Sequence, residues 1–341
     1  MTGAARWMIA AAFGLALQTG HYSVGQEVPF ISGGAGFVTI TNGGNTTYIP
    51  VLQPLLMAPL GKHLAVESRA MLLVSYFPRS GEGYDHSSFL GLSYLQADIL
   101  FSPHATLVAG QFLTPFGTYN ERLTPIWIGN FNDAPLIYPI GTMGSGSSVG
   151  GQLRGSLVST KSASFDYAAY YSANSTNEQF QAERSTGGRG SVYMPTARLE
   201  TGVSYGHRYA THGEDNVGVH LWWEPLNSAL RIRSEYAHAP HSQGYWVEAD
   251  WRGGRLHGNE TFLNRIEPVF RMQQTFRMSP DPGDGLPAAD TQRADFGLDY
   301  RLPHDFRINT SYSRQFSSTG NRNIWQTGLI YHFVFPAWRT K

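Results

Sequence analysis

The sequence predicts an all-β fold, a transmembrane antiparallel β-barrel of about sixteen strands. Three observations carry this. Apolar and polar residues alternate with period two in segment after segment, broken by Gly, Pro, Asn, Asp and Ser clusters. One face of these segments holds more Arg, Asp and Glu than a dry core could accept, because an unsolvated charge costs several kcal/mol unless paired. The other face carries Tyr, Trp or Phe near strand ends (Tyr76, Phe101, Trp223, Trp251, Tyr300 and Trp325), as an interfacial girdle around a lipid-facing band would. A soluble sandwich would bury those rings.

At the N-terminus, Arg6 precedes an apolar run from Trp7 to Leu17, and Ser23 and Gly25 form a small-x-small pair. This pattern reads as a secretory signal, residues 1–25, leaving 26–341 as the mature barrel. Beyond it no stretch approaches the ~18–20 uninterrupted apolar residues of a transmembrane helix. A mature chain that spans a membrane must then do so as a closed barrel, the other structure that satisfies every backbone group in lipid.

Along the mature chain the alternation is explicit. Leu64, Val66, Ala70, Leu72, Val74 and Tyr76 share a face against Glu67 and Arg69, and Phe165, Tyr167, Ala169 and Tyr171 another against Asp166. Leu230, Ile232 and Tyr236 oppose Arg231, Arg233 and Glu235, and Tyr245, Val247, Ala249 and Trp251 oppose Trp246, Glu248, Asp250 and Arg252. Ala294, Phe296, Leu298 and Tyr300 oppose Arg293, Asp295, Asp299 and Arg301, and Phe306 and Ile308 follow opposite Arg307 and Asn309. The last segment places Trp325, Thr327, Leu329, Tyr331, Phe333 and Phe335 on one face.

Three segments lose the period: Gly117–Gly150, Gly253–Asn264 and Ser279–Asp290. The first is a candidate constriction loop, residues 118–149. Its polar residues Asn120, Glu121, Arg122, Asn130, Asn132 and Asp133, with Trp127, stand among apolar ones, a composition that can fold into the lumen and narrow it. The alternative is a disordered surface loop.

Lys+Arg and Asp+Glu both total 25, so no global basic field exists to attract nucleic acid. Lys62, Lys161 and Lys341 are the only lysines; nearly all fixed positive charge is guanidinium, suited to oriented contact with carboxylate or phosphate. Arg198, Arg231, Arg233, Arg252, Arg271, Arg293, Arg301 and Arg307 could line a pore and pass an anion along, with Glu200, Glu235, Glu248, Asp250, Glu267, Asp295 and Asp299 interleaved. Equally, these charges could pair across strands within the wall. No metal-ligand spacing links His207, His212, His220, His238 and His241, no nucleophile motif is present, and the absence of Cys excludes thiol chemistry. No cofactor is expected.

The run Gly110-Gln111-Phe112-Leu113-Thr114-Pro115-Phe116-Gly117, with Tyr119-Asn120-Glu121-Arg122 after it, resembles the phosphate-selective porin O and P family. The resemblance implies a sixteen-stranded homotrimer in the bacterial outer membrane, surrounded by outer-membrane lipid. Its third external loop would narrow a lumen that passes small polar or anionic solutes such as phosphate or carboxylates. The aromatic-rich C-terminal strand resembles the signal read by the barrel-assembly machinery. A non-conducting structural or adhesive barrel and a barrel-embedded hydrolase are the alternative functions.

Overall fold

The computed structural model describes residues 29–142, 146–209, 213–253, 262–281 and 283–336. The expected signal segment lies outside them, as do residues 254–261 of the second aperiodic segment. Sixteen strands follow one another as β1 (Phe30–Asn42), β2 (Asn45–Pro59), β3 (Leu64–Pro78), β4 (Tyr84–Ser102), β5 (Ala105–Leu113), β6 (Ser147–Ser159), β7 (Ser164–Ser172) and β8 (Ser185–Met194). They continue as β9 (Leu199–Arg208), β10 (Glu214–Trp223), β11 (Leu230–Ala239), β12 (Ser242–Trp251), β13 (Ile266–Arg277), β14 (Thr291–Arg301), β15 (Phe306–Ser317) and β16 (Arg322–Pro336).

Each strand pairs with its sequence neighbours, and β16 closes on β1 in an unbroken register from Phe30↔Pro336 to Asn42↔Ile324. Closure leaves no edge, so every spanning N–H and C=O finds a partner without water. Strands of 9 to 19 residues meet the roughly 9–11 that a tilted strand needs to cross a bilayer. Among the described residues no helix is long and apolar enough to cross.

The two faces separate as their sequence period requires. Outward positions leave large apolar side chains bare: Leu157 is 64% exposed, Val203 62%, Phe296 56% and Trp325 57%. A belt of that size on a soluble protein would drive association; against acyl chains it is the stable arrangement. Hairpins with little room use glycine. Gly43 and Gly44 turn β1 into β2 with φ of 58° and 85°, the pair of positive values that a two-residue turn matching the strand twist demands.

Two details depart from strict alternation. On β4 a bulge passes Arg69↔Tyr94 to Ala70↔Leu92, so the inward parity changes along the strand. On β16 Phe333 is buried, since it lies over its directly paired neighbour Gly33, which has no side chain of its own.

Candidate functional site

The connection from β5 to β6 is the third on the end where the chain turns after odd-numbered strands, and its described residues, 114–142 and 146, fold inside the barrel. Its base is closed by Thr114, whose N–H donates to the Gly146 carbonyl at 3.2 Å, and by Asn120. The Asn120 amide donates to the carbonyls of Thr114 at 3.1 Å and Gly146 at 2.8 Å. Two four-residue helices follow, α1 (Tyr119–Arg122) and α2 (Tyr138–Gly141). The free amides at the start of α1 are capped from the wall: Glu235 on β11 accepts from the N–H of Thr118, and from the Thr118 hydroxyl and the Tyr119 N–H at 2.7 Å each. Gly117 makes this approach possible. Its φ is 61°, and a Cβ there would stand 2.7 Å from the Glu235 carboxylate.

Beside this cap lies an apolar pad. Phe116, Leu123, Ile137 and Ile140 of the loop pack on Ala237 of β11 and Trp246 of β12, all at most 4% exposed. Polar contacts carry the loop on round the wall. Arg189 of β8 pairs with Glu121 and donates to the Gly117 carbonyl at 2.6 Å, and Arg122 pairs with Glu200 of β9 at 2.7 Å. The Asn130 amide donates to Glu248 at 3.0 Å and Asp250 at 3.3 Å on β12, and the Leu136 N–H to Gln273 of β13 at 2.7 Å. Asp133 receives both Arg271 of β13, at 2.9 Å, and Arg293 of β14. Burial alone would raise the Asp133 pKa, but these two guanidiniums outweigh it and hold the carboxyl below the usual aspartate value.

The tip reaches the far side. Arg307 of β15 donates to the carbonyls of Ile126 at 2.8 Å and Gly129 at 2.6 Å, and the Trp127 ring stacks on His332 of β16 at 5.7 Å. On β1 the tip rests on backbone, because a Cβ at Gly34 would come within 2.6 Å of the Trp127 ring. Gln53 of β2 and Arg69 of β3 add contacts to the Ile126 N–H and the Thr124 hydroxyl, at 3.0 and 2.9 Å.

Beneath the loop the wall charges form a ladder. Arg233, Glu248, Arg271 and Asp295 stand directly opposite one another on β11 to β14, alternating in sign. Arg233 pairs with Glu248, while Arg271 and Arg293 reach Asp295 at 2.8 and 2.9 Å. Arg231 bridges Asp250 at 2.7 Å and Glu267 at 3.3 Å, and Arg307 lies 3.5 Å from Asp299. Arg233, Arg271, Asp250, Asp295 and Asp299 are at most 1% exposed. The residues that sequence brought together as an arginine track are thus together in space, with Glu235, but under the loop and matched by acids.

Arg198 stands apart, in the β8–β9 turn. Arg252 follows the end of β12, pairs with Glu224 at 3.0 Å and lies 3.5 Å from Asp250, and Arg301 lies at the rim sharing Glu267, at 2.8 Å, with Arg231. On the wall that the loop leaves uncovered, Arg154 of β6 is 37% exposed beside buried Asp98 of β4 at 2.8 Å, and on the loop itself Arg122 keeps 38% exposure. Sequence reading placed Arg69 on the charged face without a role, and missed Arg154, Arg189, Gln53 and Gln273. Arg154 had a signal in its alternation with Leu153 and Leu157, whereas Arg189 sits in the run Gly187-Gly188-Arg189-Gly190, which has no apolar residues to set its parity.

No family model matches the sequence, and no curated protein does. Solved structures share its architecture. A loop L8 deletion mutant of OmpT, an outer membrane protein of Vibrio cholerae, gives a TM-score of 0.59 at 10% identity, over 90% of this chain and 100% of that one. Salmonella typhi OmpF, in complex with daunomycin, gives 0.59 at 13%, over 89% and 97%. An anion-selective porin from Comamonas acidovorans gives 0.52 at 8%, over 90% and 98%. At these identities the likeness concerns the fold. With its apolar belt, this chain has the closed sixteen-strand barrel of bacterial outer-membrane proteins.

Proposed function

We propose that the chain is an outer-membrane diffusion pore for small hydrophilic solutes, phosphate-like and carboxylate anions among them, acting without covalent chemistry. One observation carries this reading: the charges of β11–β15 are paired with one another and with Asp133 beneath the loop, while Arg154, on the wall the loop leaves uncovered, and Arg122, on the loop itself, stay over a third exposed. Water and small solutes would pass between the loop and the wall of β4 to β7, which its contacts leave free, and the loop would act as the constriction. Charge balance in the buried ladder leaves selectivity to pore width and to these hydrated guanidiniums. Trimeric assembly and recognition of the C-terminal strand by the barrel-assembly machinery belong to the same proposal, on the strength of the local resemblance at Gly110–Gly117 and the aromatic β16.

A plugged, structural barrel is the second reading. What favours it is the reach of the loop, whose contacts extend from β8 round to β3. Conductance of the purified barrel in planar bilayers separates the two. Stepwise openings with a reversal potential on the anion side under a salt gradient support the pore; silence from folded, heat-modifiable barrels rejects it.

A further inference from the structure

A pocket of ≈ 280 Å³ opens between α1 and the wall of β8 to β10, lined by Arg122, Tyr193, Arg198, Glu200, Trp222 and Glu224. Both of its carboxylates are already answered. Glu200 accepts from Arg122 at 2.7 Å; Glu224 accepts from the Trp222 indole at 3.0 Å and lies 3.0 Å from Arg252. Arg198 is different, because among the described residues no carboxylate lies within ion-pair distance of its exposed guanidinium. The lining's two arginines and two glutamates balance in number, and Arg198 is the lining cation whose guanidinium is left open to a further acceptor.

The turn fixes the backbone from which that side chain springs. Arg198 has φ of 49°, the left-handed region that costs a side-chain-bearing residue energy, and its carbonyl accepts from the Glu224 N–H at 3.0 Å. Nearby the Trp222 ring is fixed by the guanidiniums of Arg122, Arg231 and Arg233, each within 5.9 Å of its centre, while Tyr193 keeps 37% exposure. One unpaired cation beside two aromatic side chains, in a space of ≈ 280 Å³ that admits a ring with its substituent, favours a flat anionic solute.

We infer that this pocket binds a planar monocarboxylate, an arene carboxylate by chemical class. Its carboxylate accepts from Arg198 and the exposed edge of Arg122, and its ring lies against Tyr193 and Trp222. The inference rests on the pore reading for the route by which the solute arrives, though not for the binding itself.

Calorimetric titration of the full detergent-solubilised barrel with sodium benzoate tests it, with sodium acetate and benzylammonium chloride as comparison probes. Benzoate binds more tightly than either, and Arg198→Asn weakens it about tenfold, the share of one charge-assisted contact. Asparagine tolerates the left-handed turn, so the variant keeps the fold, as heat-modifiability verifies. Tyr193→Leu lowers benzoate affinity and leaves acetate unchanged. Equal benzoate affinity in Arg198→Asn, equal binding of acetate and benzoate, or no binding overturns the inference. Conductance in potassium chloride, recorded in parallel, keeps the two proposals apart: a silent barrel that binds benzoate through Arg198 rejects only the pore.

Discussion

Replacing Asp133 by alanine removes the carboxylate that joins the loop to two strands at once. That carboxylate meets Arg271 at 2.9 Å and also Arg293, both nearly buried on the wall. Breaking a buried ion pair from one side costs about 3–5 kcal/mol, because the partner charge is left behind. The low end applies here: both guanidiniums keep Asp295, at 2.8 and 2.9 Å, and Asp133 is itself 23% exposed. About 3 kcal/mol shifts the balance between seated and unseated loop on the order of a hundredfold. Hydrogen exchange of the barrel in detergent reads this directly. Amides that depend on the seating, above all the Leu136 N–H bonded to Gln273, lose protection by that factor, while the β1–β16 closure keeps its own. Unchanged loop protection in Asp133→Ala would refute the idea that this ionic clasp holds the loop.

Further outcomes follow from the same geometry. The Asp133 carboxyl is held below its ordinary value, so its contribution is complete above the unfolded aspartate pKa of about 3.9 and is lost as pH falls through the lower folded value. The share of loop protection that Asp133 supplies, read as the difference between the natural protein and Asp133→Ala, therefore stays flat from neutrality to pH of about 5 and falls only in stronger acid, which exchange at stepped pH checks. Gly34→Val sets a side chain against the Trp127 ring and costs about 1–3 kcal/mol of overpacking, so the tip lifts and Trp127 emission moves to the red. Arg154→Gln leaves Asp98 unpaired on the uncovered wall and shifts the reversal potential toward cations, whereas Arg271→Met, beneath the loop, loosens the loop without that shift. Val203→Arg, in mid-strand on the lipid face, costs about 2–4 kcal/mol at the bilayer centre and lowers folding yield into vesicles.

Much of the wall was legible because one residue's parity fixes its strand. On β14 the alternation of Arg293 and Asp295 with Ala294 and Phe296 gives both faces, and the register bears this out. Reading failed where the side chains that mark parity are missing or displaced. The bulge beside Arg69 changes the inward set of β4, glycines on β8 hide Arg189, and Gly33 lets Phe333 fold down from the lipid face. The candidate site was legible in composition and not in state. Sequence gathered Arg231, Arg233, Arg271 and Arg293 on inward positions, but their exposure depends on where residues 114–146 lie. That is set by long-range partners such as Glu235, and no local pattern announces them. Arg198 shows the same limit, since its place in a turn frees it from the pairing that claims its neighbours.

The natural chain contains no cysteine, so a single introduced thiol reports on one place. The most direct test is single-channel recording of Arg154→Cys while a charged methanethiosulfonate reagent is added, with Gln273→Cys beneath the loop as its counterpart. A pore running along the β4–β7 wall gives stepwise conductance that drops on modification at position 154 and stays unchanged at 273. Folded barrels that never conduct, or a block at 273 with none at 154, would contradict it.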